Sequence, residues 1–302
     1  MELPPKPEHL HNLEFIRILT PYIFSYPLVA GPSVLDVGCG LGHGTWFLAM
    51  RGAGQVVALD LEQGNVRQLS QLCSKVKNLS KLAMDAQRLG FKDESYEIVT
   101  CFEVIEHVHK PAMLLSELRR VLKEDGVVLL TTPNRAVRLR PLQRPRNPEH
   151  LREYSLKALQ KAIEKCFPFF EVLGIYGESK PYEYYRRMWQ QSFLHAYFSW
   201  GLPVAQALIP ASVKKWIKIR LFGGNSDEFH SSTTDLLNIA VPPPDPEKWP
   251  FYVSDVQDDC LNLFVICGFN DQVVQTAVKE IKRSAWKLSQ LCPNRASQNK
   301  LE

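Results

Sequence analysis

The chain lacks any apolar run approaching the ~18 residues that a membrane-spanning helix needs, so a protein that is soluble, or at most in weak peripheral membrane contact, is expected. Its first residues, MELPPKPEHLHN, are polar and proline-rich and lack the apolar stretch of a secretory leader. Seven cysteines (Cys39, Cys73, Cys101, Cys166, Cys260, Cys267 and Cys292) include no C-x-x-C pair and no His/Cys ligand spacing. A disulfide framework or zinc site is thereby disfavoured, and reduced thiols in a cytoplasmic protein are expected. The net charge of +4 is too small to imply a nucleic-acid partner, and the basic residues form no long stripe. Internal repeats and low-complexity tracts are also absent. With 45% hydrophobic and 23% charged residues, the 302-residue chain is an ordinary globular one, long enough for one elaborated domain or two.

What the chain does contain is VLDVGCGLGHG, Val34 to Gly44. Val34, Leu35 and Val37 suit a strand of a buried parallel sheet. Gly38, Gly40 and Gly42 follow in a turn where missing Cβ atoms let backbone approach a ligand, and TWFLAMRG opens a helix whose first N–H groups face that turn. The spacing is G-x-G-x-G rather than the dinucleotide G-x-G-x-x-G, and a glycine pattern alone is weak evidence for a cofactor. Three acidic positions strengthen it. Asp36 lies within the strand end. Asp60 closes QVVALD, 18 residues after Gly42, where a carboxylate suits ribose hydroxyls. Asp85, in LAMDAQRLGF, comes one strand later and is placed for an adenine amino group.

The wider pattern alternates. Strands are expected at 34–38, 55–60, 79–84, 96–101 and 126–131, with helices at 44–51, 63–75 and 111–122 between them. That rhythm predicts an α/β fold with a parallel sheet and helices on both faces. PNRAVRLRPLQRPRNPEH reads as a loop, SLKALQKAIEKCF as a helix capped by Ser155, and FFEVLGIYG and CLNLFVICGF as strands. Ahead of the sheet, NLEFIRILTPYIFSYPL reads as an aromatic helix broken near Pro21, which either closes over a ligand or packs on the sheet. VVQTAVKEIKRSAWKLSQL reads as a C-terminal amphipathic helix.

YEIVTCFEVIEHV, ELRRVLKEDGVVLLTTPN and NPEHLREYS, in that order after the glycine turn, resemble the class I S-adenosylmethionine-dependent methyltransferases, in the branch with an EVIEH motif. The resemblance covers roughly residues 30 to 176. It implies a seven-stranded Rossmann-like sheet and S-adenosyl-L-methionine as cofactor. By that resemblance Gly38, Cys39 and Gly40 contact the methionine part, and Asp36 holds the glycine turn and the cofactor ammonium. Asp60 accepts the ribose hydroxyls, Leu61 covers the adenine edge, and Asp85 with the Ala86 backbone reads the adenine. Cys101 and Glu103 face the methionine end. No acidic pair of the Mg²⁺-binding kind is present, Asp258-Asp259 reading as a solvated turn, so no metal is expected.

His107 and His150 are the candidate bases for an acceptor hydroxyl, with His150 favoured because NPEHLREYS borders the acceptor side. Each has a structural alternative, His107 as an organiser of its loop. The domain reading is a cap-helix region at 1–30, a core of 31–176 with 260–291, a mostly helical acceptor-side insertion at 177–259, and a polar tail at 292–302. Arg135, Arg138, Arg140, Arg144 and Arg146 could grip an anionic substrate or simply be solvated. The rings of the insertion, from Tyr182 to Trp200, suit a cap over an apolar or sugar-bearing substrate or the insertion's own core. Ala211 to Phe222 is basic and amphipathic, a weak interfacial helix or a solvated face. O-methylation of a small-molecule, saccharide or glycolipid acceptor is expected. The alternatives are N- or C-methylation of a small molecule such as a quinone precursor, or a cofactor-binding relative without transferase activity.

Overall fold

The computed structural model describes residues 7–139, 145, 147–177 and 251–290. Within them, helix α1 (Pro7–Val29) precedes strand β1 (Ser33–Val37), followed by α2 (His43–Met50), β2 (Gln55–Asp60), α3 (Gln63–Leu72) and β3 (Leu79–Ala83). Next come β4 (Tyr96–Phe102), α4 (Pro111–Val121), β5 (Leu122–Pro133), a one-turn α5 (Arg135–Arg138), α6 (Leu156–Ile163) and β6 (Phe169–Gly177). The described chain closes with β7 (Phe251–Asp255), β8 (Asn262–Gly268) and α7 (Asp271–Gln290). The strand order is β3-β2-β1-β4-β5-β8-β6-β7. The first five strands are parallel, while β8 runs antiparallel to β5 and β6.

The central strands read as near-continuous apolar runs because both faces of the sheet are covered. Every residue of β8 is buried, and all of β4 except Glu97 is buried. On one face Leu35, Val37, Val99, Val128 and Val265 meet Leu114, Leu115 and Leu118 of α4 and Leu159 and Ile163 of α6. The order reverses between β1 and β4, and at that point the glycine turn leaves the carboxyl end of β1. Open α/β sheets bind ligands at this kind of crevice.

Two expectations are corrected here. Among the described residues the sheet has eight strands rather than seven, because FYVSD, inside the stretch read as insertion, adds an edge strand antiparallel to β6 from Leu173↔Asp255 to Gly177↔Phe251. Its five residues follow VPPPDPEKWP, and so short a run beside five prolines carries little strand signal. Tertiary contacts make it a strand: Tyr252 stacks on Tyr176 at 5.3 Å, and the Tyr176 hydroxyl donates to the Asp255 carbonyl at 2.8 Å. The second correction concerns α1, which runs through Pro21 and Pro27 without a break. The hydroxyls of Thr20 and Ser25 donate to carbonyls four residues back, those of Ile16 and Pro21, and buried Tyr22, Ile23 and Phe24 hold the helix in place. Asp258 and Asp259 form an exposed turn, as expected. The remainder of the insertion, with its rings and the Ala211–Phe222 stretch, and the tail lie outside the described residues.

Candidate cofactor and acceptor site

The glycine turn is braced from the neighbouring strand. The N–H groups of Gly38 and Cys39 both donate to the Leu59 carbonyl, at 2.8 and 2.9 Å, and the Gly40 N–H donates to Asp60 Oδ2 at 2.8 Å. Gly38, Gly40 and Gly42 have φ of +74°, +51° and +85°, a region that side chains disfavour. Gly40 is distinctive because a Cβ placed there would meet nothing within 4 Å. Its missing side chain borders open space, the cradle that a closely approaching ligand requires.

Asp60 does two jobs. Besides fixing Gly40, its Oδ1 accepts from the Glu62 N–H at 2.9 Å and Asn65 Nδ2 at 3.0 Å. A carboxylate has about four acceptor sites, so one remains for a ribose hydroxyl. Leu61, next to it, is 68% exposed, an apolar surface with no protein cover on the same rim. Asp85 is half-buried after β3 and accepts from the Gln87 N–H at 2.8 Å, while Ala86 is buried. The Met84 N–H donates to the Asp60 carbonyl at 3.0 Å, which ties the two strand ends together. The structure therefore brings Gly40, Asp60, Leu61 and Asp85 to one edge.

Asp36 and Cys101 are placed differently. Asp36 is 0% exposed and accepts from three hydroxyls, those of Thr45, Thr100 (2.8 Å) and Tyr22 (3.2 Å). It anchors β1, β4, α1 and α2 from beneath the turn and offers no face to a cofactor ammonium. Burial pushes its carboxyl up to about 6, outweighing the hydroxyl bonds that pull it down. Cys101 lies in the apolar core at 0% exposure, with its thiol pushed up by burial and by Glu106, and does not face the methionine end. Strand alternation at β4 sends it inward.

Glu103, just past β4, has the left-handed φ of +57°. It accepts from Arg17 Nη1 at 3.0 Å, Thr131 Oγ1 at 3.0 Å and Asn262 Nδ2 at 2.9 Å. Tyr22 also covers Gly44, where a Cβ would sit 2.2 Å from its ring. Arg17, Tyr22 and Asn262 escaped sequence reasoning. No short-range motif carries them, and Arg17 meets Asn262 across 245 positions.

The EVIEH and NPEHLREYS segments meet. The Leu151 N–H donates to the Glu106 carbonyl at 3.0 Å, and Arg152 donates to the Val108 carbonyl. The rings of His107 and His150 pack edge to face at 4.6 Å. His107 Nδ1 lies 3.1 Å from the Glu149 carbonyl, which can only accept, so Nδ1 carries the proton and Nε2 keeps its lone pair. His150 Nδ1 lies 3.3 Å from Glu153 Oε1, a carboxylate oxygen that can only accept, so Nδ1 carries a proton there too. Burial, then His150, lowers the His107 pKa, so its ring is neutral near pH 7. Burial, then Glu103, pushes the Glu106 carboxyl well above the usual range. Arg138 pairs with Glu153 at 3.4 Å, whereas Arg140, Arg144 and Arg146 lie outside the described residues.

A parallel sheet that reverses order at its glycine turn, with carboxylates after the next two strands, defines a class I methyltransferase fold. Residues 35–130 match the family described as a methyltransferase domain. A relative from Mycolicibacterium smegmatis named "Probable S-adenosylmethionine-dependent methyltransferase" is 34% identical over 152 residues, 49% of this chain and 56% of that protein. A ubiquinone biosynthesis O-methyltransferase from Xanthomonas oryzae is 37% identical over 134 residues, 44% of this chain and 54% of the relative. The chain thus spans about half the length of the curated relatives it matches. Among solved structures, a SAM-dependent methyltransferase from Thermotoga maritima shares the fold at TM-score 0.51 and 12% identity, covering 87% of this chain and 95% of that one. The [4+2]-cyclase SpnF shares it at TM-score 0.50 and 16% identity, covering 84% and 81%.

Proposed function

We propose that the protein transfers a methyl group from S-adenosylmethionine to an oxygen of a small-molecule, saccharide or glycolipid acceptor. The observation carrying this reading is the pair of imidazoles, His107 and His150, packed edge to face and both with Nδ1 engaged by an acceptor. When bound, the cofactor supplies an electrophilic methyl group on a positively charged sulfur. Gly40 leaves the space for its approach, Asp60 keeps an acceptor site for a ribose hydroxyl, and Leu61 offers an apolar face to the adenine. In-line displacement mainly requires positioning, but an alcohol must also lose a proton. The two Nε2 atoms draw on that hydroxyl. The name of the Xanthomonas relative supports oxygen over nitrogen or carbon as the methylated atom. Residues 177–250 are assigned the choice of acceptor.

The fold shared with a cyclase supports one competing reading, a protein that keeps the pocket without transferring methyl. Incubation with cofactor labelled in its methyl group and a panel of phenols, sugars and amines tests both. Label on an acceptor oxygen is the expected result. Label only on nitrogen or carbon overturns O-methylation, and cofactor binding without any product supports the non-transferase.

A further inference from the structure

Glu106, His107 and His150 present ligand atoms that all lie within 4.8 Å of one another. They come from two segments 43 residues apart, whose backbones are joined by the Leu151–Glu106 bond. Glu106 is 0% exposed, with Oε2 accepting from Thr132 Oγ1 at 3.0 Å and Oε1 meeting no donor among the described residues. An orphaned acceptor in the interior is costly to keep, and native structures retain one where something else fills it. Both imidazoles are oriented as metal ligands are: one ring nitrogen is held by a carbonyl (Glu149) and the other by a carboxylate (Glu153), and the second nitrogen is free to coordinate.

We propose that Glu106, His107 and His150 form a binding site for a divalent cation of the zinc class. Two imidazoles and one carboxylate suit such an ion and leave its fourth position open. Ligand atoms on a tetrahedral ion at ~2.1 Å sit ~3.4 Å apart, so side-chain torsions that draw the three atoms together by about an ångström close the site. The absence of a Cys/His spacing or an acidic pair hides the site from the sequence, because its ligands are a buried glutamate, its neighbour and a distant histidine. In the proposed reaction, on which only this role rests, the open position would take the acceptor oxygen and lower its pKa, and the released proton would pass to water rather than to the coordinated imidazoles.

The test needs no acceptor. The 302-residue chain, stripped with a chelator, is titrated with Zn²⁺ in competition with a chromophoric chelator, alongside E106Q, H107Q and H150Q, with circular dichroism and S-adenosylmethionine affinity as controls of fold. The wild type should bind one tight equivalent. Each variant should lose it while keeping cofactor affinity, and E153Q, which alters the outer partner of His150 along with the Arg138 pair, should weaken it about 10–100-fold. If E106Q does not fold, H107Q decides, because that side chain is partly exposed. Absence of Zn²⁺ binding overturns the site. So does binding that all three substitutions leave unchanged, which would place the ion elsewhere, such as on the cysteines. Zinc binding without cofactor binding would instead sink the methyltransferase reading and leave this site standing.

Discussion

Arg17 and Glu103, 86 positions apart, form an ion pair at 3.0 Å with side chains only 8% and 19% exposed. The pair pins α1 to the end of β4 at the residue with left-handed backbone, and Asn262 of β8 joins it from the other side. The N-terminal helix is thus bonded to the rim of the candidate site as well as packed on the sheet.

Removing one partner of a nearly buried pair leaves the other charge uncompensated. Arg17→Met should destabilise the fold by about 3 kcal/mol, at the low end for buried pairs because Glu103 retains some solvent contact. Urea unfolding of wild type and variant measures it. A loss below about 1 kcal/mol would show that water replaces the arginine without cost.

Asp60→Ala removes an acceptor for the cofactor ribose and the bond that fixes Gly40. Cofactor affinity should fall by about 1.5–3 kcal/mol for each charged hydrogen bond lost, before compensation by water. Gly40→Val should be worse, since its side chain would enter the open space beside the turn and carry strain at a φ of +51°. Calorimetric titration with S-adenosylmethionine decides, and equal binding by wild type and D60A would refute the assignment.

Asp36 makes the fold sensitive to acid in an unusual direction. Its folded value of about 6 against 3.8 for the free group means that the folded protein holds this proton more tightly than the unfolded chain does. Its contribution to stability is complete below about pH 4 and is lost as the pH rises through 6, a change of about 3 kcal/mol at 1.36 kcal/mol per pH unit. Denaturation of wild type and Asp36→Asn at pH 4, 5, 6 and 7 isolates it. The stability of wild type relative to the variant should fall over this range. A flat or rising difference contradicts the buried carboxyl described above.

On the proposed reading, which sets the imidazoles against the acceptor and not the cofactor, His107→Gln and His150→Gln should each lower kcat about 10²–10⁴-fold while leaving cofactor affinity nearly unchanged. Steady-state rates with a methyl-accepting alcohol, set beside calorimetry, provide the check. Losses below about tenfold in both would remove the imidazoles from the chemistry.

The sheet core was legible because its signals are local. Near-continuous apolar strands alternate with amphipathic helices, and the Gly38–Gly42 turn lies directly between a strand and a helix. Asp60 and Asp85 were legible for the same reason, since each follows its strand directly. Strand β7 was not. FYVSD has little strand character of its own, and Tyr176 makes it a strand by offering a ring and a hydroxyl from 76 positions away.

What the sequence determined by itself was therefore the alternation, the glycine corner and the order of acidic residues along the sheet edge, all set by patterns spanning a few residues. The tertiary structure decided what the polar side chains do. It drew Asp36 beneath the turn into three hydroxyls, turned Cys101 into the core, joined Arg17 to Glu103, and set His107 against His150 beside the unpartnered oxygen of Glu106. A buried polar group must find its partner wherever the fold supplies one, and in this chain those partners lie tens to hundreds of residues away, beyond the reach of any local pattern.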